Sequence, residues 1–198
     1  MKLYRIKTAT LAAALLAGGG LVAFGGSTTA VAADSTAPAW TIQPGGELGF
    51  AVANDGTDIN GGFSKWGGTI NFNPDAPGDA AIKIDVDLTS ASVGESFKDS
   101  LLQDDEFFGT ASHPTATFSS DNVESLPDGR FVAHGTLSLH GMSMAQDVEF
   151  RLSGSGAQRH VEGQASIDRV GYGIGLGSHG GGLDQTVGLT FSFDAVRE

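Results

Sequence analysis

The sequence predicts an all-β protein, built as an antiparallel sandwich or barrel of about eight strands with a single short helix. Three observations support this prediction. Apolar and polar residues alternate along most of the chain, which is typical of strands with one buried and one solvated face. Residues typical of tight turns separate the alternating segments. Glycine is abundant, at 30 of 198 residues, and a sheet that must curl needs sharp bends and room beside the backbone.

The alternation locates the strands in chain order. In the clearest case, residues 80–88, isoleucine, valine and leucine alternate with lysine and aspartate, so one face is apolar and the other charged. The segment 116–118 is shorter and weaker. The expected apolar faces are Ile42, Leu48, Phe50 and Val52; Ile70 and Phe72; Ile82, Ile84, Val86 and Leu88; Ala116 and Phe118; Phe131, Ala133, Leu137 and Leu139; Val148, Phe150 and Leu152; Val161, Ala165 and Ile167; and Val187, Leu189, Phe191 and Phe193.

Turn and helix signals fill the connections between these strands. Asn54-Asp55-Gly56, the proline-rich residues 74–78 and Pro127-Asp128-Gly129 contain residues that preset turn angles or tolerate positive φ. Only residues 95–108 indicate a helix, because Phe97, Leu101 and Leu102 recur at helical spacing. This helix lies in the long connection that follows the strand at 82–88.

The N-terminus predicts an exported protein with one mature domain. Basic residues are followed by the apolar run 11–24 and by Ala30-Val31-Ala32, which fits a signal-peptidase site. A membrane anchor is the alternative, but the run is shorter than the about 20 residues needed to span a bilayer and is broken by glycines. We therefore expect a cleaved signal peptide at residues 1–33, a single domain at 34–198 and a periplasmic location.

Charge and cysteine content exclude several classes of function. Removing Lys2, Arg5 and Lys7 with the signal peptide takes the formal net charge from −12 to −15. Such a surface repels phosphate backbones, so no nucleic acid is expected as a partner. The chain has no cysteine, which excludes disulfides, thiol catalysis and cysteine metal sites.

Six segments in order resemble the YceI-like family of exported lipid-binding proteins. They are WTIQPGGELGFAV, GGFSKWGGTINFNPD, IDVDLTSASVG, LLQDDEFFGTASHPTATFSS, GTLSLHG and DRVGYGIG, and the resemblance covers nearly all of the mature chain, from Trp40 to Val196. The fourth segment, with paired phenylalanines after an acidic run, is the most specific.

The resemblance implies an extended eight-stranded antiparallel β-barrel of lipocalin-like shape. Its apolar pore would hold an isoprenoid lipid, either a polyisoprenoid or an isoprenoid quinone, as a ligand and without any other cofactor. Eight strands also close a barrel wide enough for one small ligand. The alternation alone leaves open whether the barrel is filled or hollow; the resemblance and the glycine content favour a hollow one. The expected ligand-binding residues are Phe50, Ile70, Phe72, Ile82, Ile84, Val86, Leu101, Phe107, Phe108, Phe118, Leu137, Leu139, Phe150, Ile174 and Phe191.

We expect the protein to carry, store or buffer this lipid and not to be an enzyme. One alternative is an accessory role to a membrane b-type cytochrome in quinone electron transfer, because the FSKW segment resembles family members with that association. A homodimer is also left open. The remaining alternative, an enzyme acting on a lipid or small carbonyl compound, is disfavoured because the chain lacks a G-x-S-x-G nucleophile elbow.

Gly175, Gly177 and Gly180 spell G-x-G-x-x-G, the spacing of a dinucleotide-binding loop. That function requires a helix directly after the loop, whereas the residues that follow alternate as a strand. We therefore interpret the motif as a flexible connection near a barrel opening. In a second interpretation, its N–H groups meet a ligand head group together with Arg169.

Metal binding is not expected. The histidines, at 113, 134, 140, 160 and 179, lack ligand spacing, and His134 and His140 fall on the outward face of their strand. The run Asp104-Asp105-Glu106 lacks the spaced oxygen ligands of a calcium or magnesium site and is interpreted as a charged surface at a helix end.

Overall fold

Eleven strand segments form one closed antiparallel sheet in the computed structural model, which describes residues 37–198. The predicted signal peptide lies outside the described residues. The elements in chain order are β1 Ala39–Ile42, β2 Glu47–Asn54, β3 Thr57–Phe63, β4 Trp66–Asn71, β5 Ala81–Asp87, β6 Ala91–Ser92, α1 Ser96–Gln103, β7 Thr115–Ser125, β8 Arg130–Leu139, β9 Met142–Ser153, β10 Gln158–Asp168 and β11 Thr186–Arg197, with 3₁₀ turns at Pro77–Asp79 and Leu88–Ser90.

Three pairs of these segments act as single long strands, so the sheet is an eight-stranded ring. β1 continues into β2, β3 into β4 and β5 into β6, and each continuous strand pairs with the next one along the chain. β11 closes the ring, because its C-terminal half pairs with β1 and its N-terminal half with β2. The predicted all-β, eight-stranded antiparallel barrel with one short helix is confirmed.

Two of the three strands that consist of paired segments break where the sequence cannot continue the ladder. The strand predicted at 42–52 divides between β1 and β2, because Pro44 has no N–H to donate and Gly45 adopts φ of +95°. Asp87 caps the 3₁₀ turn that separates β5 from β6, by accepting a hydrogen bond from the Thr89 N–H at 2.9 Å. The prediction of a short, weak segment at 116–118 was wrong, because β7 runs for 11 residues.

The up-and-down order places the connections alternately at two ends of the barrel. We call the end with the β2–β3 turn, the α1 connection at 93–114, the β8–β9 turn and the connection at 169–185 the loop end. The hairpin end has the connections at 72–80, 126–129 and 154–157. Within residues 37–198, no helix has the length and apolar character needed to cross a membrane.

The helix is shorter than predicted. It ends at Gln103 instead of 108, and the chain then turns until Gly109, which adopts φ of +57°. Three acidic residues, Asp104 to Glu106, follow the helix directly, and negative charge is unfavourable at the C-terminal end of a helix dipole. The predicted apolar stripe is also incomplete, because Phe97 is 72% exposed.

Candidate functional site

The barrel encloses a cavity of about 270 Å³ whose walls carry almost no polar atoms. All eight long strands contribute to it, as do α1 and the loop-end connections. Fourteen of the fifteen predicted binding residues line the cavity, and their contact with a ligand stays a prediction. Those fourteen are Phe50, Ile70, Phe72, Ile82, Ile84, Val86, Phe107, Phe108, Phe118, Leu137, Leu139, Phe150, Ile174 and Phe191.

The fifteenth residue, Leu101, is not among the residues that line the cavity; its neighbour Leu102 is. Successive helical residues point about 100° apart, so the side of α1 that meets the cavity can take one of the two leucines. The sequence pattern did not distinguish them.

The middle of the barrel is hollow. Ile84, Phe118 and Leu137 lie side by side on adjacent strands and all line the cavity, yet each remains only partly buried. An inward side chain in a filled core would be shielded by its neighbours. These three side chains are not fully shielded, because they border empty space.

Glycines keep phenylalanine rings against the barrel wall. Gly61 lies opposite Phe50, and Gly163 lies opposite Phe191, in the strand register. A Cβ atom at either glycine would collide with the ring of that phenylalanine. Each ring therefore occupies the space that a side chain would take, and it lies over the neighbouring strand. The glycine content thus contributes directly to the open interior.

Packed aromatic residues close the hairpin end of the cavity. Phe72 meets Phe131 and Phe150 edge-on, with ring centroids 5.2 and 5.5 Å apart, and Phe131 stacks on Phe150 at 5.4 Å. The Trp40 indole N–H donates to the Phe72 carbonyl at 2.9 Å. All four side chains are buried, so this end is a solid plug.

Two connections cap the loop end. Phe107 and Phe108, which follow α1, line the cavity, and the Phe108 ring lies 5.9 Å from that of Phe63. Opposite them, Tyr172 is 1% exposed and donates its hydroxyl to the Leu137 carbonyl at 3.1 Å. Burial raises the pKa of Tyr172 above its usual value, so it stays a neutral donor.

Glu106 joins the two halves of this cap. Its carboxylate accepts the backbone N–H groups of His179 and Gly180 at 2.7 and 3.1 Å, and it contacts the His179 Nδ1 at 2.9 Å. The hydrogen bond from the His179 side chain lowers the pKa of Glu106 below its usual value. The Glu106 carbonyl also accepts the Gly175 N–H, at 2.6 Å. We call this set of contacts the Glu106 latch.

The latch also explains the G-x-G-x-x-G motif. β11, and not a helix, follows the loop, and the N–H groups of His179 and Gly180 already bind a carboxylate of the chain itself. A Cβ atom at Gly177 would contact that carboxylate, at 2.6 Å from its carbon, and one at Gly180 would collide with the backbone of Gly175. Gly180 is therefore required for close packing of the cap, and a side chain at Gly177 would displace the Glu106 carboxylate.

Arg169 is buried beside the cavity and is held by backbone carbonyls. Its guanidinium donates to the carbonyl groups of Ile174, Gly175, Leu183 and Asp184 at 2.6–3.0 Å. It is 7% exposed. These bonds fix the connection at 169–185 in place, a structural role that the sequence pattern did not reveal.

The outward face carries two histidine–carboxylate pairs. His134 Nδ1 lies 2.7 Å from Asp147, and His160 Nδ1 lies 2.7 Å from Asp194. These hydrogen bonds raise the pKa of both histidines. His134 lies on the outer face, as predicted. The prediction that His140 lies on the outward face of the same strand was wrong. His140 lies in the β8–β9 turn at φ of +52°, where its Nδ1 donates to the Tyr172 carbonyl at 2.9 Å.

His160 also contacts Ser192, with 3.3 Å between Nε2 and Oγ, which completes a Ser–His–Asp chain that the sequence analysis missed. All three residues lie on adjacent strands, β10 and β11, whose backbones pair along the whole of β10. Catalysis by such a chain also needs N–H donors aimed at an oxyanion, and the ladder uses the N–H groups of this region. We interpret the chain as a polar cross-strand contact.

Among residues 37–198, no group of three or more histidine, aspartate or glutamate side chains is arranged to hold a metal ion.

A closed antiparallel barrel with an apolar interior and a loop-end cap defines the lipocalin-like class of small-ligand barrels. Residues 40–195 match the model of the YceI-like domain, and the chain belongs to that family. The resemblance stated from the sequence is confirmed.

Several known proteins are similar to this chain. A UPF0312 protein from Azotobacter vinelandii is 27% identical over 146 residues, which cover 71% of this chain and 75% of the relative. Burkholderia cenocepacia BcnA has a similar structure, with a TM-score of 0.72 and 18% identity over 76% of this chain and 96% of BcnA. A polyisoprenoid-binding domain from Saccharophagus degradans, implicated in plant cell wall breakdown, has a TM-score of 0.63 and 16% identity over 81% of this chain and 99% of that domain.

Proposed function

We propose that this protein binds the chain of an isoprenoid lipid, either a polyisoprenoid or the tail of an isoprenoid quinone, inside its barrel and carries it unchanged. The observation that carries the proposal is the cavity itself, which lies inside the barrel, is apolar and is lined from all eight strands. Membership of the YceI-like family and structural similarity to a polyisoprenoid-binding domain support it. Both also favour a binding protein over an enzyme.

The walls favour recognition of chain length over recognition of a head group. Burying each CH₂ contributes roughly 0.8 kcal/mol, so a few isoprene units suffice for tight binding without a polar contact. The cavity volume of about 270 Å³ lies just below the range of about 300–1,000 Å³ that is common for small-molecule sites. A long chain therefore requires the cap or the phenylalanine rings to move outward.

Both tryptophans of the chain, Trp40 and Trp66, line the cavity, and their fluorescence reports on its contents. We would titrate the delipidated protein with prenyl alcohols of increasing length, and then with quinones of matched tail length. Affinity is expected to rise with each isoprene unit until the space is filled and to change little when the head group is exchanged. Affinity that follows the head group and ignores length would contradict the proposal.

We further propose that the protein acts after export, in the periplasm. The basic start, apolar run and cleavage motif of the first 33 residues support this. N-terminal sequencing of protein recovered from the periplasmic fraction should begin near Ala33 or Asp34. Recovery of intact Met1 in the membrane fraction would contradict it. The b-type cytochrome partner and the homodimer stay predictions of the sequence.

A further inference from the structure

The large hydrophobic side chains exposed in the described part of the chain all lie at the loop end. Phe97 is 72% exposed, Leu176 62%, Met142 44% and Val170 39%. They come from α1, the connection at 169–185 and the start of β9, each of which the up-and-down order brings to this end. We call these four side chains the apolar tips.

Direct contacts hold the segments with the tips together. The Glu106 latch joins the connection after α1 to the connection at 169–185. The His140 hydrogen bond to Tyr172 joins the β8–β9 turn to that same connection, and the His113 and His140 rings meet at 5.8 Å. The tips therefore sit on one packed rim.

Two of the tips lie on segments that also line the cavity. Phe97 shares α1 with Leu102, which lines the cavity, and Leu176 lies two residues beyond Ile174, which also lines it. Each of these two segments thus has one apolar side chain in solvent and another facing the interior.

We propose that the loop end docks on a lipid bilayer by inserting the apolar tips, so that the barrel loads and releases its chain through the cap. This inference rests on the proposed function, because a barrel that holds a membrane lipid must exchange it with a membrane. Moving the tips into the bilayer pulls on the segments that cover the cavity.

The size of the patch favours a lipid surface over a protein partner. A fully buried aromatic side chain covers about 150–250 Å² and the three aliphatic tips are smaller, so four partly exposed side chains present a few hundred Å² together. A stable protein interface takes about 800 Å² from each partner. Tips on a bilayer need no matching surface, because each one is solvated by acyl chains independently.

The charge around the tips specifies the lipid. Asp104 and Asp105 are exposed beside the cap, and the ammonium of Lys98 is paired with Glu95 at 2.7 Å. The formal net charge is −12 for the full chain and −15 once Lys2, Arg5 and Lys7 are removed with the signal peptide, so an anionic leaflet repels this protein. Docking is therefore driven by apolar contact and suits a zwitterionic surface.

The test is flotation of the purified protein with phosphatidylcholine vesicles, repeated with vesicles that contain phosphatidylglycerol. The double variant Phe97→Ser/Leu176→Ser should lower vesicle binding by about 10- to 100-fold. Leu126→Ser, a leucine-to-serine change at a half-buried position of a hairpin-end turn, is the control for loss of apolar surface elsewhere and should leave binding unchanged. Phe97→Leu/Leu176→Met should retain it, and thermal midpoints show that each variant is folded.

Three results would overturn the docking proposal. One is equal flotation of the parent and the double variant, and another is tighter binding to anionic than to zwitterionic vesicles. The third is a parent that does not float but dimerises through the tips, shown by a monomeric double variant in size-exclusion chromatography. Prenyl alcohol titration on the same samples separates the two proposals. A parent that binds prenyl alcohol but no vesicle refutes docking alone, and one that binds vesicles but no prenyl alcohol refutes the carrier function alone.

Discussion

The substitution Ile84→Trp is expected to block ligand uptake while the barrel stays folded. Ile84 lies in the middle of β5, lines the cavity and is flanked by Phe118 on β7 and by Gly68 on β4. Tryptophan adds roughly six non-hydrogen atoms to the side chain, in a rigid ring system. The indole projects into the middle of a cavity of about 270 Å³, so it obstructs the space that a lipid chain would take.

A filled barrel would respond differently. Overpacking a solid core costs about 1–3 kcal/mol, and for a domain of this size each kcal/mol lowers the thermal midpoint by about 2–4 °C. In the hollow barrel the indole enters existing space, so the midpoint should change by only a few degrees. Bound prenyl alcohol and thermal midpoint are measured on the same sample.

Lys83→Trp is the matched control, because Lys83 is next along β5 and its side chain is 57% exposed on the outer face. It adds an indole to the same strand without entering the cavity, and it should retain normal uptake. Normal uptake by Ile84→Trp together with a midpoint lowered by about 6–12 °C, the shift expected from about 3 kcal/mol of overpacking, would refute the hollow-barrel reasoning.

Three further predictions concern the plug, the latch and the outer face. Phe150→Ala removes a buried plug residue and should cost about 3–5 kcal/mol, more than Phe118→Ala beside the cavity, as denaturant unfolding would show. Glu106→Gln removes the carboxylate charge and so weakens the latch, which should speed release of prenyl alcohol in stopped-flow fluorescence. In the parent, release should speed up as the pH falls through the lowered pKa of Glu106. The hydrogen bond to Asp194 raises the pKa of His160. The pair therefore stabilises the fold below the ordinary histidine pKa, and this stabilisation is lost as the pH rises through the raised pKa. His160→Gln should flatten that part of the stability–pH curve.

The strands and most of the cavity wall were predictable from local pattern. In β5, Ile82, Ile84 and Val86 lie at every second position, and all three line the cavity. β3 was missed because its sequence, TDINGGF, has few apolar residues. Its Gly61 contributes by making room for Phe50, and this contact between strands has no signature in the local sequence.

The cap could not be predicted from local pattern, because its contacts join residues far apart in the chain. Glu106 and His179 are separated by 73 positions, and nothing near either residue indicates the other. The partners of Arg169 could not be predicted either, because they are backbone carbonyls. Every residue has such a carbonyl, so the residue types do not indicate which ones bind. The acidic run at 104–106 was interpreted as a charged surface, and its third member instead closes the loop end.

The central claim is that the barrel holds an isoprenoid chain, and native mass spectrometry of the protein purified without detergent from its own cells tests it most directly. The intact complex should show one added mass, and extraction should identify that mass as a polyisoprenoid or an isoprenoid quinone. The same ligand should be absent from Ile84→Trp prepared in parallel and present in Lys83→Trp. A parent protein recovered with an empty barrel, or with a polar ligand of defined mass, would contradict the account.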